Sequence, residues 1–307
     1  MNDRSIEVLG HEIASEFRVG LAQVMEIIPP LERVAKISRK IIEEAWAKGE
    51  PIIRRFAPWL LEHYESPARM HVETVLFLSR FGKIPREGYS GPGAKLIVYA
   101  DPEPSSGGSE RVGENAEKAL GEGASGFKVI STVHLTWLDS PVIEAVFEVA
   151  SSNSVPVLVH AGCDPGIWEL PAFCSLGNPA RLEDVIRRYR DVYVIIAHAG
   201  GYSAVAPGVY MKESVELARK YPNVYLDSSA VPFEVLEMLL HSLPPSKIIH
   251  ASDYPVVEDD TPARSATRLV AALLARGADS RKLIEAVLYG NLEEVSGEKC
   301  REIPLSG

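Results

Sequence analysis

The chain has 307 residues, 46% of them hydrophobic and 24% charged, and its formal net charge is −10. This composition is typical of a globular protein with a buried core, built as one large domain or as two small ones. The negative charge argues against nucleic acid or an anionic membrane as the main partner, because both attract clustered Lys and Arg, so a small-molecule substrate is expected.

The N-terminal part of the sequence combines one strand pattern with two helical patterns. The run IEVLG (6–10) can form a first strand. Residues 29–49 carry apolar side chains at helical spacing, and residues 51–64 begin a second helix at a proline. Residues 12–71 are therefore predicted to form a helical insertion after the first strand, which acts as a lid, as a dimer contact or simply as packing.

From residue 72 onward, short β-rich runs alternate with helical patterns. The runs consist mostly of Val, Ile and Leu, as in strands that are buried on both faces of a parallel sheet. Three helices begin where a capping residue precedes proline, at residues 140–141, 178–179 and 261–262. The predicted strands are residues 72–78, 94–101, 126–130, 155–160, 192–198, 223–229 and 247–253.

Eight βα units predict an α/β fold of the (β/α)8 TIM-barrel type, with residues 1–307 forming a single domain. An open doubly wound sheet is the alternative architecture. A G-x-G-x-x-G sequence does not follow the first strand, however, so a dinucleotide-binding fold gains no support. The barrel is therefore the expected architecture.

The sequence also predicts a cytoplasmic protein. Its first ten residues, MNDRSIEVLG, lack the basic start and apolar stretch of a secretory signal, and the apolar run at 269–275 is too short to cross a membrane. Its cysteines, Cys163, Cys174 and Cys300, are odd in number and lack the paired spacing of a metal site. They are expected to be free thiols in a reducing compartment.

Polar or ionisable residues stand at the ends of nearly all the predicted strands. An apolar strand has no structural need for such an ending, and the C-terminal ends of barrel strands meet at one mouth. The set as a whole therefore predicts a functional site at that mouth. Its members are His11, Ser79, Arg80, Asp101, Lys128, His160, His198, Asp227, Ser228 and Asp253.

Two histidines and one aspartate in this set suggest a metal site. His160 and His198 end successive strands in the similar runs VLVHAG and VIIAHAG, and Asp253 ends a third strand. A lone histidine at a strand end is commonly structural, but imidazoles together with a carboxylate suit Zn²⁺ or another divalent metal. The remaining histidines are interpreted as core, structural or surface residues: His63, His71, His134, His241 and His250.

The order and spacing of several short runs resemble the amidohydrolase superfamily, specifically amidohydrolase family 2. That branch includes lactonases and decarboxylases similar to aminocarboxymuconate semialdehyde decarboxylase. The resemblance covers residues 72–295 and implies a metal-dependent TIM-barrel enzyme. The matching runs are GFKVI (126–130), PVLVHAG (156–162), VIIAHAGG (194–201), YPNVYLDSS (221–229), IIHASDYP (248–255) and YGNLEEV (289–295).

The chain departs from this family in the first strand, where the family carries D-x-H-x-H. The corresponding run is EVLGH (7–11), in which Leu9 replaces the first histidine and His11 remains. The resemblance therefore implies His11, His160 and Asp253 as metal ligands, with His198 as a fourth ligand or as a catalytic residue. Three protein ligands suffice for a catalytic Zn²⁺, although the loss of one ligand is equally consistent with weak binding or none.

The resemblance implies a hydrolase of a small, carboxylated ester, lactone or amide. Asp253 would take a proton from water as general base, and His198 would stabilise the developing oxyanion. Lys128 and Arg80 would pair with a substrate carboxylate, or else form structural salt bridges to Asp101 or Glu122.

Two other functions stay open at this point. The first is a metal-dependent decarboxylase of an unsaturated or aromatic carboxylic acid, in which Asp253 or His198 protonates carbon as CO₂ leaves. The second is a non-catalytic binding protein on the same fold, for which Leu9 argues. Trp168 stacks on a planar substrate or merely packs, and the insertion 12–71 makes a homodimer reasonable.

Overall fold

The computed structural model describes residues 22–27, 95–102, 104, 107–163, 171–203, 206–253, 257, 260, 262–297 and 301–302. The predicted strands at 6–10 and 72–78 lie outside these residues, and so do the helical patterns at 29–49 and 51–64.

Strands and helices alternate along the described part of the chain. The strands are β1 (Ala22–Ile27), β2 (Lys95–Ala100), β3 (Gly126–Val129), β4 (Val157–Val159), β5 (Val194–Ile196), β6 (Val224–Asp227), β7 (Ile248–Ile249) and β8 (Arg301–Glu302). The α-helices are α1 (Ser109–Gly121), α2 (Ser131–His134), α3 (Pro141–Asn153), α4 (Glu183–Arg188), α5 (Met211–Lys220), α6 (Phe233–Ser242), α7 (Pro262–Ala275), α8 (Arg281–Glu285) and α9 (Asn291–Ser296). Short 3-10 helices cover Pro171–Gly177, Pro179–Leu182, Ala197–Gly200 and Pro245–Lys247, and a π-helical turn covers Ala286–Gly290. Among these helices, none is long and apolar enough to cross a membrane.

The strands form one sheet in the order β1-β2-β3-β4-β5-β6-β7, with parallel neighbours, and β8 pairs antiparallel with β2. In the centre of the sheet, Lys128 aligns with Leu158, Leu158 with Ile195, and Ile195 with Tyr225. At least one helix follows each strand from β2 to β7. This sequential parallel order confirms the predicted α/β class and is that of a (β/α)8 barrel.

The central strands are apolar throughout because both faces of the sheet are covered. On β4, Val157 and Val159 belong to the apolar cluster that packs beneath the helices. Leu158, between them, belongs to a second cluster with Ile195 and Tyr225 on the opposite face. Burial of each such side chain contributes roughly 1.5–3 kcal/mol, which explains why these runs carry no alternating polar positions.

The segment predicted as a helical insertion contains a strand. Residues Ala22–Ile27 form β1, which pairs with β2 in parallel over its full length. These six residues precede the two helical patterns predicted within the insertion, and no strand was predicted for them. The strand is short and lies beside longer helical patterns, so its β-favouring Val24 and Ile27 were not recognised as a separate element.

The expectation of free thiols is wrong for two of the three cysteines. Cys163 and Cys174 form a disulfide, with their Cα atoms 5.0 Å apart. The chain returns to the end of β4 after the loop, where the Gly162 N–H donates to the Gly177 carbonyl at 3.3 Å. A Cβ on Gly177 would lie 2.4 Å from the Gly162 carbonyl oxygen, so glycine permits this close approach.

The packing of β3 against β2 predicts that Gly126→Ala is destabilising. A Cβ at residue 126 would lie 2.4 Å from the ring of the fully buried Tyr99 and 2.6 Å from the Pro156 carbonyl oxygen. Overpacking of this kind costs about 1–3 kcal/mol, measurable as the free energy of unfolding in urea. The control is Gly113→Ala on α1, where the new Cβ has nothing within 4 Å and is expected to stabilise by about 0.5–1 kcal/mol. Equal stability of Gly126→Ala and the wild type would contradict the packing.

Candidate active site

The predicted site residues lie where neighbouring strands end. His160 directly follows β4, and His198 lies in the 3-10 turn directly after β5. Asp227 is the last residue of β6. Because these strands are adjacent and parallel, the three residues share one edge of the sheet, the edge that forms the mouth of a barrel.

His160 and His198 are in direct contact. Nδ1 of His160 lies 3.1 Å from Nε2 of His198. The ring centroids are 4.9 Å apart in an edge-to-face arrangement. His198 is almost completely buried and His160 is partly buried, so the pair extends from the core toward the mouth.

Ser229 and Asp227 hold the opposite side of the His198 ring. Nδ1 of His198 lies 2.8 Å from Oγ of Ser229 and 3.1 Å from its carbonyl oxygen. The Ser229 hydroxyl donates to Oδ1 of Asp227 at 2.5 Å. The backbone N–H groups of His198 and Ser229 donate to the same Oδ1 atom at 2.7 and 3.0 Å.

These contacts determine which ring nitrogens carry protons. The Ser229 hydroxyl gives its only proton to Asp227 and the Ser229 carbonyl can only accept, so Nδ1 of His198 is a donor. Neutral His198 then has a bare Nε2, which accepts a hydrogen bond from Nδ1–H of His160. Neutral His160 is left with its lone pair on Nε2, the nitrogen directed away from His198.

Burial controls the charge states of this network. Burial lowers the pKa of His198 well below 6.5, and the nearby His160 and Lys128 act in the same direction, so the ring is neutral at pH 7. Burial raises the pKa of Asp227, and this effect is opposed by its hydrogen bonds with Ser229, by the charge of Lys128 and by the His198 backbone N–H. A positive charge at Lys128 therefore lies close enough to influence both groups.

Backbone strain is concentrated at the same edge of the sheet. His198, Ala199, Ala230 and Asp253 have φ values of 58°, 49°, 53° and 62°, in the left-handed region that favours glycine. Gly200 continues this turn at φ 71°, where an added Cβ would lie 2.1 Å from Oγ of Ser214. Strain of this kind costs about 1–3 kcal/mol per residue and is commonly found at functional sites.

Tyr202 is a neighbour of the histidine pair that the sequence patterns did not identify. Its ring centroid lies 4.9 Å from that of His198 and 6.4 Å from that of His160. The backbone of Tyr202 bridges to Gly162, and its carbonyl accepts from the Cys163 N–H at 2.7 Å. Tyr202 lies beyond the end of an apolar run, in a stretch without periodicity, so only its closeness in sequence to His198 could have indicated it.

Lys128 lies inside the sheet on β3 and is almost completely buried. Of the alternative partners considered for it, Asp101 pairs with His134 at 2.5 Å, and both of these side chains are buried. Glu122 lies 3.9 Å from Lys118 on the surface. His134, interpreted from the sequence as a core, structural or surface residue, therefore has a buried partner in Asp101.

The remaining predicted residues are only partly covered by the structure. Asp253 lies after β7, partly buried, and its carbonyl oxygen accepts from the Val257 N–H at 3.0 Å. His11, Arg80 and Trp168 lie outside the described residues. Within the described ranges, side chains of His, Cys, Asp and Glu do not form a group of three or more able to hold a metal.

Solved structures share this fold at low sequence identity. A protein from Lactobacillus casei ATCC 334 described as a metal-dependent hydrolase is 15% identical, with a TM-score of 0.51 over 92% of this chain and 96% of that chain. The Metarhizium anisopliae IDCase in its apo form is 13% identical, with a TM-score of 0.51 over 94% and 77% of the two chains. A 2,6-dihydroxybenzoate decarboxylase in complex with 2,6-dihydroxybenzoate is 12% identical, with a TM-score of 0.50 over 88% and 79%. A search of curated proteins finds no significant match.

The fold and the position of the histidine pair define an α/β-barrel protein with a polar site at the C-terminal ends of its strands. The family model described as amidohydrolase matches residues 96–295, more than half of the chain. The chain therefore belongs to the amidohydrolase family, and the resemblance seen in its sequence is confirmed.

The lowered pKa of His198 predicts a pH-dependent contribution to stability. Because the folded state holds this ring neutral, protonation favours the unfolded chain, and stability present above pH 6.5 is lost as the pH falls toward the folded-state pKa. The loss from one such group is at most about 1.4 kcal/mol per pH unit. The difference in unfolding free energy between the wild type and His198→Asn is expected to narrow from pH 7 to pH 5, measured with a chelator present.

Two features make this comparison specific. Asp227 is present in both proteins, so its contribution, which has the opposite sign because its pKa is raised, largely cancels. His241→Asn on the surface of α6 is the matched control and should keep the wild-type dependence on pH. A constant difference between the wild type and His198→Asn across this range would contradict the buried neutral state of His198.

Proposed function

We propose that the chain is a metal-dependent hydrolase of a small, carboxylated ester, lactone or amide. The observation that carries this proposal is the contact between His160 and His198, fixed by Ser229 and Asp227 at the mouth of the barrel. Membership of the amidohydrolase family supports the reaction class.

The donor chemistry of His160 fits a metal ligand. Its Nε2 carries the lone pair, while its Nδ1–H donates to His198 at 3.1 Å. Metal-binding histidines almost always donate their second ring N–H in this way, which fixes the tautomer and orients the ring. His11 and Asp253 would complete the ligand set for Zn²⁺ or another divalent ion. Such an ion, when bound, polarises a substrate carbonyl and makes water more acidic.

His198 serves this site as a positioning residue. In the tautomer set by Ser229, Nε2 of His198 carries no proton. Because burial lowers the pKa of His198, Nε2 also stays unprotonated at neutral pH and does not offer an N–H to an oxyanion. Its contact with Nδ1 of His160 orients that proposed metal ligand instead. Nε2 of His198 already accepts a hydrogen bond from His160. This favours His198 as the residue that orients a metal ligand over His198 as a fourth ligand.

Asp253 and Lys128 act on the substrate. The carboxylate of Asp253, four residues after β7, takes a proton from the attacking water and passes it to the leaving group. Lys128 is buried on β3, close enough for its charge to act on His198 and Asp227. Its ammonium group pairs with a substrate carboxylate. Arg80 and Trp168 stay in the proposal as further substrate contacts on the basis of the sequence.

A decarboxylase is the second candidate, and the buried Lys128 is as compatible with it as with the hydrolase. A cation inside the barrel holds an aromatic or unsaturated carboxylate near the histidine pair, as either reaction requires. Decarboxylation would then need a proton for the carbon from Asp253 or His198. A non-catalytic binding protein, suggested by Leu9, is the third candidate and predicts no turnover of any substrate.

The proposed cellular location and oligomeric state of the protein rest on the sequence. The disulfide between Cys163 and Cys174 removes one of the two reasons for a cytoplasmic location, because free thiols were part of that argument. A cytoplasmic location and a homodimer formed through residues 12–71 are kept as proposals.

The proposed ligand set predicts that metal binding depends on His160. Wild-type protein stripped with a chelator is expected to take up about one equivalent of Co²⁺ with a change in its visible spectrum. His160→Ala is expected to lose that binding, and Ser229→Ala to weaken it about 10–100-fold by releasing the His198 ring. The exposed His241→Ala is the control that keeps wild-type affinity. Less than about a tenth of an equivalent in the wild type, without a spectral change, would rule out the metal mechanism.

The hydrolase proposal predicts turnover of carboxylated esters, lactones or amides without release of CO₂. Replacing the general base in Asp253→Asn is expected to lower kcat about 10²–10⁴-fold while the protein remains folded. Asp279→Asn, in the exposed loop after α7, is the matched control with wild-type kcat. Release of CO₂ from an aromatic or unsaturated carboxylic acid would select the decarboxylase instead, and full activity of Asp253→Asn would remove that residue from the mechanism.

A further inference from the structure

An ion pair between a buried aspartate and a partly buried arginine lies beside the histidine network. Asp260 follows β7 and is almost completely buried, and Nη2 of Arg268 on α7 donates to its Oδ2 atom at 2.7 Å. Breaking a buried pair by removing one partner leaves an uncompensated charge in the core, so both side chains are strongly constrained.

The second contact of Asp260 leads to the candidate active site. Its Oδ2 atom also accepts a hydrogen bond from the backbone N–H of Ala230 at 3.1 Å. Ala230 has a φ of 53°, so this backbone needs an external partner to stay in its left-handed conformation. Asp260 supplies that partner from a different loop of the barrel mouth.

The bond to Ala230 reaches His198 through a single peptide unit. The N–H of Ala230 and the C=O of Ser229 belong to the same planar peptide and point in opposite directions. Asp260 accepts from the N–H side, and the C=O side lies 3.1 Å from Nδ1 of His198. A hydrogen bond accepted from the N–H side therefore fixes the direction in which the Ser229 carbonyl points.

We propose that Asp260 is a positioning residue of the active site. It holds the peptide between Ser229 and Ala230 so that the Ser229 carbonyl fixes the Nδ1–H tautomer of His198, and with it the contact to His160. Arg268 keeps the carboxylate of Asp260 in place. The inference deepens the proposed function and rests on it for its relevance to catalysis, but the arrangement itself can be tested without substrate or metal.

Three variants distinguish positioning from simple stabilisation. Asp260→Ala removes the acceptor for Ala230, whereas Asp260→Asn keeps an oxygen that can accept the same hydrogen bond. Asn291→Ala is the matched structural control, because Asn291 is a buried side chain that donates to the Pro245 and Ile248 carbonyls at 3.0 and 2.7 Å, at the start of β7. Asp260→Ala and Asn291→Ala both remove buried hydrogen bonds, and Asp260→Asn removes only the charge opposite Arg268. The contact to Ala230 is lost in Asp260→Ala alone.

The experiment uses the metal-free full chain labelled with ¹⁵N. In Asp260→Ala, amide hydrogen exchange at Ala230 is expected to accelerate at least about tenfold beyond the change in global stability, and the ¹⁵N shifts of the His198 ring to move away from the Nδ1–H tautomer. Asp260→Asn should stay close to the wild type in both measurements, and Asn291→Ala should change neither. Co²⁺ affinity should fall about tenfold in Asp260→Ala alone.

Three results would overturn the proposal. They are wild-type exchange and wild-type His198 shifts in Asp260→Ala, the same changes in Asn291→Ala, or equal changes in Asp260→Asn and Asp260→Ala. If the wild type itself binds no Co²⁺, the proposed function fails while the exchange and ring-shift measurements still decide the positioning role. If Asp260→Ala does not fold, exchange and ring shifts in Asp260→Asn that depart from the wild type overturn the proposal, and wild-type values support it.

Discussion

At the end of β6, one oxygen of the buried Asp227 carboxylate accepts hydrogen bonds from the backbone N–H groups of His198 and Ser229 and from the Ser229 hydroxyl. Burying a carboxylate without hydrogen-bond partners would cost several kcal/mol, so Asp227 can be buried here only because these three groups donate to it. They hold the left-handed turn at His198 and bring Ser229 against its ring. The orientation of the histidine pair is therefore imposed by the neighbouring strand end.

The sequence predicted most of the described sheet because parallel strands buried on both faces have a strong signature. The apolar runs at 126–130, 155–160, 192–198 and 223–229 each contain an observed strand. The runs are longer than the strands, because the apolar pattern continues into the turns, and His198 lies in such a turn. The proximity of His160 and His198 could be predicted from topology alone, since the ends of parallel strands lie at one edge of the sheet.

The remaining features depend on contacts between residues far apart in sequence, for which no periodic signal exists. Ser229 meets His198 across 31 positions, and Asp260 meets Ala230 across 30. The disulfide between Cys163 and Cys174 depends on how a loop returns to the end of β4, which an odd cysteine count argued against. Ser229 decides the tautomer of His198 and burial keeps its ring neutral, so strand positions alone could not assign its role.

The charge state of His198 bears on the choice between the two reactions. Hydrolysis requires a group that accepts a proton from water, and a carboxylate at the mouth can do this while His198 stays neutral. Decarboxylation requires a group that delivers a proton to carbon. His198 commits its only N–H to Ser229, and burial lowers its pKa so that the ring stays neutral at pH 7 and holds no second proton to deliver to carbon. In the proposed mechanism, Asp253 would therefore have to gain a proton before it could serve a decarboxylase, whereas hydrolysis uses its carboxylate directly.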